Sequence, residues 1–138
     1  DKLIRLTHDL DVRDKVIFHG FKSGRSLDEM FDMCHLAIGS LGLHKLKTKQ
    51  SSSLKSKEYC SRGIPFVEEI TDLDFTQNFP YIFEVPADDS PVDIEALIAF
   101  CDHIYQDDLH HHKMREYAKR NLEWKIKMNE LKNFLSGL

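Results

Sequence analysis

The sequence predicts an α/β fold of Rossmann-like type, a mainly parallel sheet of about four strands flanked by helices. Short apolar runs alternate with amphipathic segments along the chain, and few long gaps separate them. The 138 residues amount to one ordinary domain, large enough to bury a core without disulfide staples. Residues 1–138 are therefore read as one α/β domain.

Taken in order, Leu3, Leu6 and Leu10 give a short amphipathic helix. Lys15-Val-Ile-Phe-His19, stopped by Gly20, reads as a strand. Ser26 and Glu29 form a capping-box pair for a helix whose face carries Leu27, Met30, Phe31 and Cys34. Leu36-Ala-Ile-Gly39 is the second strand. Residues 40–52 form the longest stretch without a hydrophobic period. A helix from about Leu54 to Arg62 follows, with Gly63 as its stop, and Ile64-Pro-Phe-Val67 is a third strand with Pro65 near its start. Tyr81–Val85 is the fourth. The acidic stretch from Glu68 to Pro80 reads as a solvated loop without chemistry of its own. Ser90 as cap, Pro91 and Asp93 announce a helix with a buried stripe of Ile94, Leu97, Ile98, Cys101, Ile104 and Tyr105. One last helix runs from about Lys113 to near the end. Its stripe of Tyr117, Trp124, Met128, Leu131, Leu135 and Leu138 is expected to pack.

Nineteen basic against 23 acidic side chains give a formal charge of −4, so nothing favours general binding to nucleic acid or to an anionic membrane, and any phosphate site must be local. Cys34, Cys60 and Cys101 are odd in number and far apart, which fits three buried, reduced thiols. No apolar run approaches the roughly 20 residues that span a bilayer, and the expected location is the cytosol. His110, His111 and His112 cannot share one helix face, so they read as a solvated helix entrance and no metal is expected. The sequence contains no G-x-S-x-G, P-loop or H-E-x-x-H pattern.

The most informative segment is Ser51 to Val67. A helix opened by serines offers unpaired N–H groups and a positive dipole end to an anion. Glu58 lies about 7.5 Å further along that helix, at roughly 1.5 Å per residue. A carboxylate there is suited to a sugar diol; its other reading is an exposed acid paired with Arg62 at i+4. His44, Lys45, Lys47 and Lys49 are either a basic loop that closes over phosphate or a solvated loop. His19 either touches a ligand or simply ends its strand.

Together these residues resemble the nucleotide-sugar-binding C-terminal half of the retaining GT-B glycosyltransferases, whose signature is two glutamates eight positions apart, the second on a helix ending in glycine-x-proline. Glu58 with Gly63-Ile-Pro65 carries the match, supported in order by Val16-Ile-Phe-His-Gly20, the Leu27–Cys34 helix, the Leu36–Ser40 strand and the Trp124 helix. The resemblance implies a donor-binding half of a glycosyltransferase acting on a glycan or lipid-linked acceptor in polysaccharide biosynthesis. It implies that Glu58 accepts hydrogen bonds from the nucleotide ribose and that the amides of Ser52, Ser53 and Leu54, with Lys55, face the diphosphate. Gly20, Phe21 and Lys22 would contact the base. No cofactor is implied beyond the nucleoside-diphosphate sugar, and the full-length enzyme would lie in the cytosol or at the inner face of a membrane.

Two departures qualify the match. The family's first glutamate falls on Gln50, which can bond sugar hydroxyls but cannot stabilise an oxocarbenium-like centre by charge. The chain also begins inside the family's domain, so the acceptor-binding N-terminal half is expected elsewhere and turnover by this polypeptide alone is not expected. An open sheet edge would then invite pairing with a missing segment or a second copy. A non-catalytic nucleotide-binding or partner-docking module is the alternative that Gln50 favours. A receiver-like signalling domain would need an exposed strand-end acid, a part open to Glu68.

Overall fold

The computed structural model describes residues 2–70, 72–76 and 78–137. The chain divides into two compact units, Asp1–Met33 and Cys34–Leu138. The first holds helix α1 (Lys2–Asp9), a 3-10 turn at Arg13–Lys15 and helix α2 (Arg25–Asp32). The second holds strand β1 (Ala37–Ile38), a 3-10 turn at Leu43–Leu46, helix α3 (Leu54–Arg62), strands β2 (Phe66–Glu68) and β3 (Ile82–Glu84), and helices α4 (Ile94–Tyr105), α5 (His110–Asn121) and α6 (Trp124–Ser136). The architecture is mixed α/β around a small, all-parallel sheet.

Within the first unit the expected strand at residues 15–19 does not form. Lys15 closes the 3-10 turn, and Val16, Ile17 and Phe18 follow as exposed chain without strand pairing. An apolar run becomes a strand only where a neighbour takes its N–H and C=O groups, and no strand partner is present among the described residues of this unit. Helix α2 also starts differently from expectation: Gly24 is its N-cap and makes no side-chain cap bond. Ser26 Oγ donates instead to Ser23 O at 2.9 Å, and Glu29 pairs with Arg25 at 2.9 Å.

In the second unit three parallel strands run in the order β1-β2-β3, with Ala37 opposite Phe66 and Phe66 opposite Ile82. Pro65 has no N–H to give, yet its carbonyl accepts from Ala37 N–H at 2.9 Å, which is why proline is tolerated at this strand's entrance. Strand β2 is central and wholly buried, so its residues are apolar until Glu68. Around it the aromatic rings of Phe66, Phe75, Phe79, Tyr81 and Tyr117 pack with centroid separations of 4.5–5.8 Å.

Helix α3 lies against α5, where Cys60 and Met114 are fully buried and Cys60 Sγ donates to Met114 O at 3.4 Å. Gly63 closes α3 with a left-handed φ of 77°, and the backbone and Cβ of His111 sit 2.7–2.8 Å from where a Cβ on Gly63 would be. Both backbone angle and packing therefore require glycine.

Several expected features take another form. Helix α4 is capped by Asp93, whose carboxylate accepts from Ala96 N–H at 2.9 Å, so Ser90 is not the cap. Of its stripe, Ile104 is buried and Leu97 and Cys101 half-buried, while Ile94 and Ile98 are exposed. The expected long terminal helix is two helices, α5 starting at His110 and α6 at Trp124. The side-chain amide of Asn121 donates back to Tyr117 O, and Glu123 adopts an extended backbone that ends one helix and starts the next. Trp124 is 74 % exposed, so the α6 stripe does not pack as expected. Leu138 lies outside the described residues. His110 is buried against Tyr105 rather than solvated. Of the thiols only Cys60 is buried, where burial pushes it up to about 12; Cys34 is exposed and Cys101 half-buried.

Replacing Gly63 with alanine should lower unfolding stability by about 2 kcal/mol or more, from left-handed strain and overpacking together. Denaturant titration checks this, and Ser61→Ala, at an exposed position on the same helix, should leave the midpoint nearly unchanged.

Candidate functional site

The candidate site is built around the start of α3 and the segment that follows β2. Helix α3 turns three faces to different surroundings. Ser56 and Cys60 point into the core with no exposed surface. Lys55 and Tyr59 reach toward β1, with Lys55 Nζ donating to Ser40 Oγ at 3.3 Å and Tyr59 Oη donating to Ile38 O at 3.3 Å. Leu54, Glu58 and Ser61 recur at helical spacing and line a cleft of about 680 Å³ whose other wall carries Arg115, Ala118, Lys119 and Leu122 of the α5 region, with Trp124 and Lys127 of α6.

Three carboxylates hold the helix start. Asp72, buried, accepts from Ser53 N–H at 3.0 Å and from Lys57 Nζ at 3.1 Å, and its second oxygen accepts from Asp74 N–H at 3.0 Å. Asp74 takes Ser52 Oγ at 3.0 Å, Lys57 Nζ at 2.8 Å and Lys127 Nζ at 2.6 Å. Burial alone would raise the Asp74 carboxyl, but the hydrogen bonds from Lys127, Lys57 and Ser52 outweigh it and hold it well below the usual carboxylate range. Glu68, at the end of β2, accepts from Ser56 Oγ and lies directly over Gly39, where any Cβ would meet its carboxyl at 2.7 Å. Burial raises Glu68 above the ordinary glutamate range; the Ser56 bond opposes this in part, and the nearby Asp72 adds to it.

The segment after β2 is thus no solvated loop. Tyr117 Oη donates to Asp74 O at 3.0 Å and accepts from Thr76 N–H at 2.9 Å, fixing the segment to α5. Its acids were unrecognised as site elements because acidity suggested solvent. Two signals stood in the sequence: Ile70, Leu73, Phe75 and Phe79 are interleaved with those acids, and Lys57 shares the inward half of α3 with Ser53, Ser56 and Cys60, a position that calls for a counter-charge. With 6 % exposure, Glu68 is also not the accessible strand-end acid that a receiver-like domain requires.

The residues before α3 are similarly engaged. Glu69, with a side chain 2 % exposed, accepts from the amides of Gly42 and His44 and from His44 Nδ1 at 2.5 Å. These bonds overcome the effect of burial and hold its carboxyl below the usual range. His44 Nε2 is buried without a hydrogen bond among the described residues, 3.5 Å from Asp89 Oδ1, and Lys45 Nζ pairs with Asp89 at 2.5 Å. His44 and Lys45 are therefore committed to protein carboxylates, not to an open basic loop; Lys47 and Lys49 are exposed.

Of the residues singled out from sequence, Ser52, Leu54, Glu58 and Trp124 line the cleft beside α3. Glu58 forms the i+4 pair, Oε1 accepting from Arg62 Nε at 3.1 Å and from Arg62 Nη2 at 3.0 Å. Its side chain remains 43 % exposed, and Oε2 accepts nothing from the described residues. Ser53 departs from expectation, because its amide is already given to Asp72, an internal anion at the helix start. Lys55 lies on the β1 side, not in the cleft wall. Gln50 is exposed beside Ser51, which bridges to Asp72. Gly20, Phe21 and Lys22 belong to the first unit, in irregular chain with Phe21 93 % exposed; His19, also exposed, ends no strand. Among the described residues no group of three His, Cys, Asp or Glu side chains is arranged to hold a metal ion, and no helix is long and apolar enough to cross a membrane.

No protein-family model, curated protein or solved structure matches this chain.

The raised Glu68 carboxyl has a definite sign for stability. Below the unfolded glutamate range both states are protonated and nothing is lost. As pH rises through the higher folded value, ionising the buried group costs stability. Glu68→Gln, which keeps an acceptor for Ser56, should therefore raise the thermal midpoint at pH 7–8, and the gain should vanish near pH 4, as scanning calorimetry across that range would record.

Proposed function

We propose that this chain is the donor-binding half of a GT-B glycosyltransferase, taking a nucleoside-diphosphate sugar in the cleft beside α3 for transfer to a glycan or lipid-linked acceptor. One observation carries the reading. A carboxylate on the second turn of a strand-loop-helix unit, oriented by Arg62, keeps one oxygen unclaimed by the described residues at the wall of a cleft large enough for a nucleotide. Such a group suits a vicinal diol, since it only accepts and its donors must come from the ligand. Arg62 fixes the carboxylate's direction and remains its partner while the ribose hydroxyls approach the other oxygen.

The phosphates need a different account from the sequence expectation. The Ser53 amide is held by Asp72, so a diphosphate at the start of α3 is left the amides of Ser52 and Leu54, with Gln50 nearby for the sugar. Lys55, Gly20, Phe21 and Lys22 do not line this cleft, and the reading assigns them no contact there. Transfer itself requires an acceptor-binding half, and the exposed edge of the small sheet suits pairing with such a segment or with a second copy. A cytosolic setting, at a membrane face for a lipid-linked acceptor, belongs to the same reading. The internal anion at the helix start favours one alternative, a non-catalytic nucleotide-binding or partner-docking module.

Calorimetric titration with uridine diphosphate and, separately, guanosine diphosphate tests the proposal. At least one should bind the wild-type chain, and Glu58→Ala should weaken it by tenfold or more, about 1.5–3 kcal/mol for a lost hydrogen bond to a charged group. Absent binding in both proteins, or equal binding by both, counts against it.

A further inference from the structure

Helix α6 carries an apolar stripe that starts at Trp124 in the cleft wall and runs on past the cleft along Met128, Leu131 and Leu135. At 3.6 residues per turn, Trp124, Met128, Leu131 and Leu135 fall within an arc of about 60°, and all four are strongly exposed, from 48 % for Met128 and Leu131 to 74 % for Trp124. The helix is held to the rest of its unit through positions outside the stripe. Lys127 reaches Asp74 at 2.6 Å, and Ile126 and Lys127 are its half-buried residues. That contact leaves Met128, Leu131 and Leu135 exposed, while Trp124 shares the cleft wall with Lys127.

The charges on α6 are sorted about this stripe. Lys125 and Lys132 are exposed, stand along one flank of it and form no ion pair among the described residues. Glu130, the acid within the helix, lies on the far side and is answered by Lys127 at 3.5 Å. Asn129, Asn133 and Ser136 complete the polar face. A tryptophan and long aliphatic side chains flanked by unpaired lysines are the composition of a helix that lies in a bilayer interface, with its apolar side among the acyl chains and its lysines at the headgroups.

We infer that α6 is a peripheral membrane-binding helix selective for anionic lipid. Charge complementarity decides for lipid over a neutral apolar partner: the unpaired cations adjoin the stripe, whereas the acid is kept away from it. The chain's net charge of −4 does not oppose this, because beyond a screening length of about 8 Å in physiological salt the bilayer responds only to the local lysines. Thirteen residues in the helix are too few to span a bilayer, so the contact is with one leaflet.

Trp124 is the chain's only tryptophan, so its fluorescence reports on this surface without a label. Titration of the full chain, without nucleotide, with phosphatidylglycerol-containing vesicles should shift the emission to the blue, while pure phosphatidylcholine vesicles should not. Added salt should reverse the shift. Lys125→Gln combined with Lys132→Gln should weaken partitioning about 30-fold, and Leu131→Asn with Leu135→Asn should abolish it; both pairs are exposed and leave the fold intact. The inference fails if anionic vesicles leave the emission unchanged or if both lipids shift it equally. It also fails if the blue shift appears without lipid and grows with protein concentration, which would make a second copy the occupant.

Discussion

The ion-paired contact of Asp72 and Asp74 with Lys57 organises this molecule. Lys57 emerges on the inward side of α3, where a lone ammonium would be costly to bury. The two carboxylates that answer it come from the segment after β2, so the chain leaving the central strand also fixes the helix that precedes it. Asp72 caps the helix start through Ser53 N–H, and Asp74 continues the chain of charges to Lys127 on α6. Three sequence-distant pieces are thereby held in one arrangement by groups that each have more than one partner, which is the condition under which partly buried charges stabilise a fold.

This arrangement also shapes what the site offers a ligand. A helix start that faces a loop beyond a parallel strand is a ready place for an anion, and here the protein supplies one of its own. The open acceptor lies deeper, at Glu58, whose Arg62 partner orients it without enclosing it. The cleft is thus graded: charge-saturated at its Ser52 and Asp74 end, and open along Glu58, Ser61 and Arg115.

Helix α3 and its surroundings were well legible in the sequence because their signals are local. A serine-rich entrance, apolar and polar faces at helical spacing and a closing glycine each act within a few residues, and the observed bounds Leu54–Arg62 with Gly63 left-handed follow from them. Strands β1, β2 and β3 were legible as apolar runs for the same reason. What was not legible depended on partners remote in sequence. The Val16–His19 run has strand composition but no strand neighbour in its unit. Trp124 has the spacing of a packed stripe, yet α6 is anchored through Lys127 and the stripe stays exposed. The acids from Glu68 to Asp74 looked solvated because their partners, Ser56, Ser53 and Lys57, lie 12 to 19 residues earlier.

The account's central claim is that an internal carboxylate, Asp72, occupies the anion position at the start of α3. Residue-resolved amide hydrogen exchange on the wild-type chain and on Asp72→Ala measures this directly. The Ser53 amide should be protected in the wild type and should exchange much faster in the variant, while Cys60 in the same helix remains protected. A Ser53 amide that exchanges at the rate of an open loop in the wild type, or is equally protected in both chains, would contradict the claim.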